Sequence, residues 1–254
     1  MTDLVVLLGH HVGYSASPLM HNAAFDAAGL DARYELADVA PGELPEAVES
    51  MRRPGRLGAN VTQPHKLAVC ELVDELTTDV ERVGAANAIV SDGQRLVAHN
   101  TDLRALAAEL RLLGSFGAAT VLGVGGASRA AQVALSDIGA TVFVVDRTRW
   151  ESLPDLLAES DLLVNATPLG TASDDTPVAA DLLRGDLAVL DLVYRPSPTR
   201  LVREARAHGA TARSGAGMLL RQAAASFALW TRRDAPIDVM RAALRAELGP
   251  ETDA

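Results

Sequence analysis

The chain has 254 residues, a formal net charge of −10 and a sequence pI near 5.0, which argues against nucleic acid or an anionic membrane as its main partner. No apolar run reaches the ~18 residues that a membrane-spanning helix needs. A single cysteine, Cys70, excludes an internal disulfide framework and predicts a reducing cytoplasm as the location. The six histidines show no paired metal-binding spacing, so the sequence predicts no metal site.

Short strands and helices alternate over the first hundred residues. The predicted elements are strands at 4–12, 32–39 and 56–64 and helices at 17–30 and 41–53. Ser17 is expected at the N-cap of its helix, with Pro18 at the first helical position. The stretch 87–100 predicts a hairpin about an Asp92-Gly93 turn.

From residue 102 the pattern changes to that of a nucleotide-binding domain. A connecting helix is predicted over 102–113. It is followed by four apolar, β-branched runs, at 119–126, 141–146, 161–168 and 187–194. Runs this apolar are typical of strands buried on both faces of a parallel sheet. A helix at 127–139 joins the first two runs, which indicates a doubly wound domain. Amphipathic helices are predicted at 217–233 and 237–248.

The run VLGVGGASRAAQVAL follows a predicted strand and opens a helix. Gly123 and Gly125 permit a tight turn and a close approach of the backbone to a pyrophosphate, and the helix N-terminus offers free N–H groups. Ser128 stands at the third small position of the usual fingerprint. The next strand ends in Asp146, close to where a ribose-binding carboxylate is expected. Together these features predict dinucleotide binding.

Lys66 is the only lysine among the 23 lysine and arginine residues of the chain. Chance within an arginine-biased composition is one explanation. The other is chemical: arginine stays charged at any useful pH, whereas a lysine can release its proton when its surroundings lower its pKa. A position that must exchange a proton accepts lysine and excludes arginine.

Eight motifs, in order along nearly the whole chain, resemble the shikimate dehydrogenase family. They are GYSASPLMHNAAF, GANVTQPHK, VGAANA, HNTD, GVGGASRA, NATPLG, LDLVYRPSPT and GMLLRQAAASF. The resemblance implies an α/β fold with two domains. An N-terminal α/β substrate domain, residues 1–102, is completed by C-terminal helices at 218–254, and a Rossmann-type domain with a doubly wound parallel sheet covers residues 103–217.

The resemblance also assigns roles to individual residues. Lys66 and Asp102 match the catalytic pair. The positions that match substrate contacts are Ser15, Ser17, Thr62, Asn87, Tyr194 and Gln222. The positions expected at the cofactor are Gly123, Gly125, Gly126, Ala127, Ser128, Asp146, Arg147, Leu192 and Gly215. Reducing a ketone by hydride requires a proton for the oxygen, which Lys66 could donate and recover, with Asp102 orienting the ammonium.

Several of these positions have a structural explanation as well. Ser17 could cap its helix, and Asp102 could interact with a helix dipole. The chain also departs from the family pattern. Leu103, Arg104 and Ala105 stand where a glycine is usual, Asp146 stands where Asn is frequent, and WTR replaces WTG at Arg232.

The predicted function is the interconversion of 3-dehydroshikimate and shikimate with a nicotinamide cofactor. The substrate is a small hydroxylated cyclic carboxylate, and the oligomeric state is left open between monomer and homodimer. Oxidation of quinate or of an aminoshikimate or aminoquinate is an alternative, and a non-catalytic dinucleotide-binding regulator is a weaker one. Among NAD(P) cofactors, Asp146 predicts a preference for NAD over NADP, because its carboxylate would face the 2′-phosphate with like charge.

Overall fold

The structure of the chain, a computed structural model, describes residues 2–252. It divides into two compact units. The first contains the chain up to Asp102 together with 220–247, and the second contains 103–219 together with 248–252 within the described part. The α/β class predicted from the sequence is confirmed, because each unit is built on a β-sheet with helices packed against it.

The first unit begins with strands and helices in alternation. These are β1 (Asp3–Gly9), α1 (Ser17–Ala27), β2 (Ala32–Asp38), α2 (Leu44–Glu49), β3 (Arg56–Val61), β4 (Glu75–Leu76), α3 (Thr78–Val83), β5 (Ala88–Ser91) and β6 (Leu96–His99). The strands form one mixed sheet in the order β2-β1-β3-β5-β6-β4. Strand β1 is parallel to β2 and β3, whereas β5 is antiparallel to β3 and β6.

The core of this unit follows from the strand sequences. Residues 5–8 of β1 are all buried, as expected for a strand covered on both faces. A cluster that includes Leu8, Leu44 and Val48 joins the sheet to α2, and Cys70 packs against this cluster. The hairpin β5–β6 is confirmed, but its loop spans residues 92–95 instead of a two-residue turn. Asp92 Oδ1 accepts hydrogen bonds from the N–H groups of two loop residues, which stabilises the longer loop.

The second unit has the regular pattern of a parallel sheet. Its elements are α4 (Asp102–Leu113), β7 (Ala118–Leu122), α5 (Gly126–Asp137), β8 (Thr141–Val145), α6 (Leu153–Ala158), β9 (Leu162–Asn165), β10 (Ala188–Asp191), α7 (Arg200–Ala207) and β11 (Ala212–Ser214). The sheet order is β11-β10-β9-β7-β8, and its pairs are all parallel. Strand β9 is buried at every residue, as its apolar sequence predicts. The crossover between β8 and β9 is short, with one 3₁₀ turn and the six-residue α6.

Two further helices, α8 (Ala216–Thr231) and α9 (Ile237–Leu248), end the described chain. Most of α8 belongs to the first unit, where Phe227 packs on Phe25 of α1 and Trp230 packs near Tyr34 of β2. The Trp230 indole N–H also donates to the Ile89 carbonyl of β5 at 2.9 Å. In the part of the chain that the structure describes, no helix combines the length and the apolar character that a bilayer crossing needs.

Candidate active site

Most of the residues predicted to bind and convert the substrate gather at one edge of the first sheet. Ser15 and Ser17 follow the carboxyl end of β1, and Thr62 and Lys66 follow that of β3, which is the parallel neighbour of β1. Asn87 precedes β5, whose first residue pairs with Asn60 near the end of β3 and with His99, the last residue of β6. Asp102 follows the end of β6. Topology therefore brings these segments of the chain to the same edge.

Lys66 and Asp102 form an ion pair at this edge. Lys66 Nζ donates to Asp102 Oδ2 at 2.6 Å, and the side chains are only 16% and 3% exposed. The Lys66 backbone is held by its carbonyl, which accepts from the Ala86 N–H at 2.8 Å. A carboxylate this buried needs further hydrogen-bond partners, because a buried polar group without partners destabilises the fold.

Asn87 supplies one of these bonds. Its Nδ2 donates to Asp102 Oδ1 at 2.8 Å and to Thr101 Oγ1 at 2.8 Å, while its Oδ1 accepts from the Thr101 backbone N–H at 2.7 Å. The amide is therefore fixed in one orientation. Gln222 Oε1 lies 3.4 Å from the same Nδ2, which places this α8 side chain beside the pair. Because Asn87 bonds to Oδ1 of Asp102, the other carboxylate oxygen, Oδ2, remains to orient the Lys66 ammonium.

A buried polar network behind the pair was not predicted from the sequence. Asn60 Nδ2 donates to Ser226 Oγ at 3.0 Å and to the Asn87 carbonyl at 3.0 Å. Asn60 Oδ1 accepts from the Tyr34 hydroxyl at 2.8 Å, and Ser226 Oγ lies 3.2 Å from Thr101 Oγ1. The network joins β2, β3 and α8 to the residues that hold Asp102, and networks of this kind rigidify a site when every group is satisfied.

The N-cap prediction for Ser17 is wrong. Helix α1 begins at Ser17 itself, Ala16 occupies the N-cap, and no side chain caps the helix. Ser15 Oγ accepts the Ser17 N–H at 3.2 Å instead. The displacement by one residue leaves the Ser17 hydroxyl without a cap bond, so the competing structural explanation for this serine is removed.

The remaining predicted substrate residues differ in their surroundings. Thr62 is partly exposed, and its backbone N–H donates to the Leu8 carbonyl at 2.9 Å, which fixes it beside the end of β1. Its methyl group lies so close to Gly9 that a Cβ at Gly9 would come within 2.4 Å of it. Tyr194 follows β10 and belongs to the second unit, where it is partly buried.

The residues predicted at the cofactor lie along the carboxyl edge of the parallel sheet. Gly123 follows β7, Asp146 follows β8, Leu192 follows β10 and Gly215 follows β11. Strand order reverses between β7 and β9, and ligands of open α/β sheets bind outside the carboxyl ends at such a point. This edge therefore fits a dinucleotide.

The glycine-rich loop has the geometry that close approach to a pyrophosphate requires. Gly123 adopts a φ of 100°, and a Cβ there would lie 3.1 Å from the Ala166 carbonyl oxygen. Gly125 is the N-cap of α5, so the N–H groups of Gly126, Ala127 and Ser128 open the helix without backbone partners in the preceding turn. Ser128 Oγ donates to the Gly123 carbonyl at 2.6 Å, which ties the helix to the turn.

Leu192 and Gly215 meet in the structure although they are distant in sequence. The Gly215 N–H donates to the Val193 carbonyl at 3.1 Å. A Cβ at Gly215 would lie 2.2 Å from the Leu192 carbonyl oxygen, a distance that real Cβ atoms do not reach. Glycine is therefore required here by the approach of two strand ends.

Comparison with known proteins agrees with this geometry. A family model for the shikimate dehydrogenase substrate binding domain matches residues 7–89, and one for the shikimate 5′-dehydrogenase C-terminal domain matches residues 215–245. A shikimate dehydrogenase (NADP(+)) of Halobacterium salinarum is 44% identical over 270 residues, which cover 97% of this chain and 100% of that protein. The chain belongs to the shikimate dehydrogenase family.

Solved structures of the shikimate dehydrogenase family extend the comparison. Shikimate 5-dehydrogenase of Thermus thermophilus, in complex with NADP(H) and shikimate, superposes with a TM-score of 0.87 at 35% identity, covering 96% of this chain and 99% of that one. Quinate dehydrogenase of Corynebacterium glutamicum, in complex with NAD, gives a TM-score of 0.83 at 27% identity, with 96% and 99% coverage. The Thermus thermophilus enzyme is thus more similar to this chain than the quinate enzyme is.

The predicted preference for NAD is wrong. The curated relatives are named as NADP(+) enzymes, and the Thermus thermophilus structure holds NADP(H). The Asp146 carboxylate has an internal role that the sequence did not reveal. Its Oδ1 accepts from Thr148 Oγ1 at 2.6 Å, from the Thr148 N–H at 2.8 Å and from the Arg149 N–H at 3.2 Å.

These hydrogen bonds change the electrostatic argument about Asp146. The Thr148 hydroxyl and backbone N–H hold the pKa of Asp146 below its usual range, and the carboxylate is committed to shaping its own loop. Arg147 and Arg149 are exposed on this loop, and Arg149 Nη1 donates to the Val144 carbonyl at 3.1 Å. The loop therefore presents two guanidinium groups, which are good phosphate partners.

Proposed function

We propose that this chain interconverts 3-dehydroshikimate and shikimate with NADP(H) as cofactor. The observation that carries the proposal is the 2.6 Å ion pair between Lys66 and Asp102, set among hydroxyl and amide side chains at one edge of the first sheet. The names of the relatives support shikimate as the substrate and NADP as the cofactor.

Lys66 is the acid–base residue in this proposal. The bound dinucleotide supplies the hydride to the ketone carbon in one direction and accepts it in the other. In reduction, Lys66 donates a proton from its ammonium to the ketone oxygen, which becomes the new hydroxyl, and solvent returns a proton to the amine. In oxidation, Lys66 takes the proton from the hydroxyl. Asp102 positions Lys66 for both directions through the bond to Nζ.

The polar side chains at the same edge fit a hydroxylated carboxylate. Ser15 and Ser17 offer hydroxyls for the carboxylate, and Thr62, Asn87 and Gln222 offer partners for ring hydroxyls. Asn87 has only limited freedom, since its amide already bonds to Asp102 and Thr101. Rigid donors of this kind reject analogues that lack the matching hydroxyl, because buried polar groups would be left unsatisfied.

NADP is assigned to the carboxyl edge of the second sheet. The N-terminus of α5 and the turn at Gly123 and Gly125 suit its pyrophosphate, and Leu192 and Gly215 suit its nicotinamide end. Arg147 and Arg149 are the partners for the 2′-phosphate, because they are the cations that the Asp146 loop exposes after β8. A guanidinium can bind such a phosphate through two N–H groups at once.

The test is steady-state kinetics with shikimate and with quinate, each measured with NADP and with NAD. We expect the highest kcat/KM for shikimate with NADP. A higher kcat/KM for quinate would assign the chain to quinate oxidation, and dinucleotide binding without turnover of either acid would support the regulator alternative. Direct measurement of NADP and NAD affinities separates the cofactor assignment from the substrate assignment.

A further inference from the structure

A cluster of metal-binding side chains lies at the first sheet, outside the residues assigned to substrate and cofactor. His10 and His11 directly follow β1, and Asp38 is the last residue of β2. The two strands are parallel with Gly9 opposite Asp38, so the residues after Gly9 emerge next to the carboxylate. The His10 N–H donates to the Gln63 carbonyl at 3.2 Å, which fixes the start of the loop against the end of β3.

Consecutive residues of an extended strand point to opposite faces, so two adjacent histidines normally cannot share one ligand. Here His11 adopts a φ of 57°, in the left-handed region that few non-glycine residues enter. Its backbone N–H donates to Asp38 Oδ1 at 2.9 Å, which holds this conformation. As a result both imidazoles lie on one side, with ring centroids 3.8 Å apart.

The three side chains are close enough to share an ion. Their candidate ligand atoms all lie within 4.8 Å of one another. His10 Nδ1 is 3.0 Å from Asp38 Oδ1. Two ligands at ~2.0–2.1 Å from a tetrahedral ion are about 3.3 Å apart, so this pair needs almost no movement to hold one. Hydrogen bonds from the His11 N–H and from His10 keep the pKa of Asp38 below its usual range, which leaves the carboxylate available at neutral pH.

The geometry points to a divalent transition-metal site formed by His10, His11 and Asp38, with zinc-like ions as the ligand class. Two imidazoles and one carboxylate are a donor set that suits Zn²⁺, Ni²⁺ or Cu²⁺ and does not suit Mg²⁺ or Ca²⁺. The cluster is open to solvent, since His11 and Asp38 are exposed, so water can complete the coordination. Sequence spacing did not indicate the site, because Asp38 is distant from the two histidines along the chain.

Bound metal would join the loop after β1 to the end of β2. The same loop continues through Val12, whose carbonyl accepts the Ser15 N–H at 2.9 Å. A ligand that binds only the folded state raises its stability in proportion to the logarithm of its concentration. The site is therefore a device that stabilises the β1–α1 loop, which also carries Ser15, when metal is present.

Isothermal titration of the full chain with Zn²⁺, in a buffer that does not bind metal, tests the site. His11→Asn removes an imidazole and keeps a residue that tolerates the left-handed conformation. Asp38→Asn removes the charge and keeps an oxygen to accept the His11 N–H. We expect one Zn²⁺ per chain, at least tenfold weaker binding in each variant and no measurable binding in the double variant.

His208→Ala and Cys70→Ala are matched controls, because they remove other zinc-binding side chains outside the cluster. Both should bind Zn²⁺ like the unmodified chain. Thermal unfolding gives a second measurement: Zn²⁺ should raise the Tm of the unmodified chain and of both controls but not that of the double variant. Absence of saturable binding, or equal weakening in His208→Ala and His11→Asn, would overturn the inference.

Discussion

Lys66 Nζ and Asp102 Oδ2 lie 2.6 Å apart although 36 positions separate the residues in the chain. If Lys66 transfers the proton, Lys66→Arg should fold and bind dinucleotide normally but lose roughly 10²–10⁴ in kcat, the usual contribution of a general acid–base residue. Asp102→Asn should lower kcat as well, and its effect should not add to that of Lys66→Ala, because the two groups act as one unit. The measurement is steady-state oxidation of shikimate. Turnover of Lys66→Arg near that of the unmodified chain would refute the assignment.

Arg147 and Arg149 provide a test of the 2′-phosphate site. Arg147→Gln should raise the KM for NADP roughly 10- to 100-fold and leave the KM for NAD nearly unchanged, because a charge-assisted hydrogen bond contributes about 1.5–3 kcal/mol. Asp146→Asn is the matched control. It retains the Oδ1 that accepts from Thr148 and Arg149, so the loop and the cofactor ratio should change little. Equal effects of Arg147→Gln on both cofactors would exclude this arginine from the phosphate site.

Alanine substitutions at two glycines of the second unit distinguish a role in packing from a role in cofactor binding. Gly215→Ala should lower the free energy of unfolding by about 1–3 kcal/mol, because its Cβ would lie 2.2 Å from the Leu192 carbonyl oxygen. A Cβ at Gly125 would meet no atom within 4 Å. Gly125→Ala should therefore keep normal stability in urea unfolding, while the KM for NADP rises as the methyl group enters the pyrophosphate position. Equal free energies of unfolding for Gly215→Ala and Gly125→Ala would contradict the explanation that packing requires glycine at position 215.

His21 makes the stability of the first unit depend on pH. It is fully buried, stacks on Tyr34 with ring centroids 4.4 Å apart, and has no hydrogen-bond partner for either ring nitrogen among the described residues. Burial lowers the pKa of His21 from 6.5 to about 3. Between these two pH values the unfolded chain binds a proton that the folded chain does not. The free energy of unfolding should therefore fall as pH falls, by up to about 1.4 kcal/mol per pH unit.

His21→Phe isolates this contribution, because a phenyl ring keeps the stacking and cannot titrate. The stability of the unmodified chain must be compared with that of this variant at each pH, because Asp191 of the second unit has the opposite pH dependence. Burial raises the pKa of Asp191 to about 6. Its contribution to stability is therefore present at low pH and is lost as pH rises through 6. Urea unfolding from pH 7 to pH 4 should show the unmodified chain losing stability relative to the variant. Parallel pH profiles would contradict the prediction.

Local patterns in the sequence were sufficient to predict most elements. Helix α4 has the predicted bounds, and four parallel strands of the second unit follow from their apolar runs, whereas the three-residue β11 was not predicted. Ser17 and Asp146 were misjudged because the residue type alone does not fix which local backbone groups a short polar side chain meets. A one-residue shift moves the helix start to Ser17, and a local turn engages Asp146. The contacts of Ser226 with Asn60 and of Asp38 with the two histidines could not be predicted from local patterns. They depend on how α8 docks and on which strands are neighbours in the sheet.

The first unit is assembled from two parts of the chain that are made at different times. Asn60 bonds to Ser226, and the Ile89 carbonyl accepts from Trp230. On the ribosome, residues 103–219, which form most of the second unit, emerge between these parts, so they are available to fold while the first unit still lacks residues 220–247. A chain that stops before α8 would leave the Asn60 amide without Ser226 and the Ile89 carbonyl of β5 without the Trp230 indole. Such a product would lack segments of both units and would expose the apolar face of the first sheet that α8 covers, so chaperones or proteases would act on it before any catalyst formed.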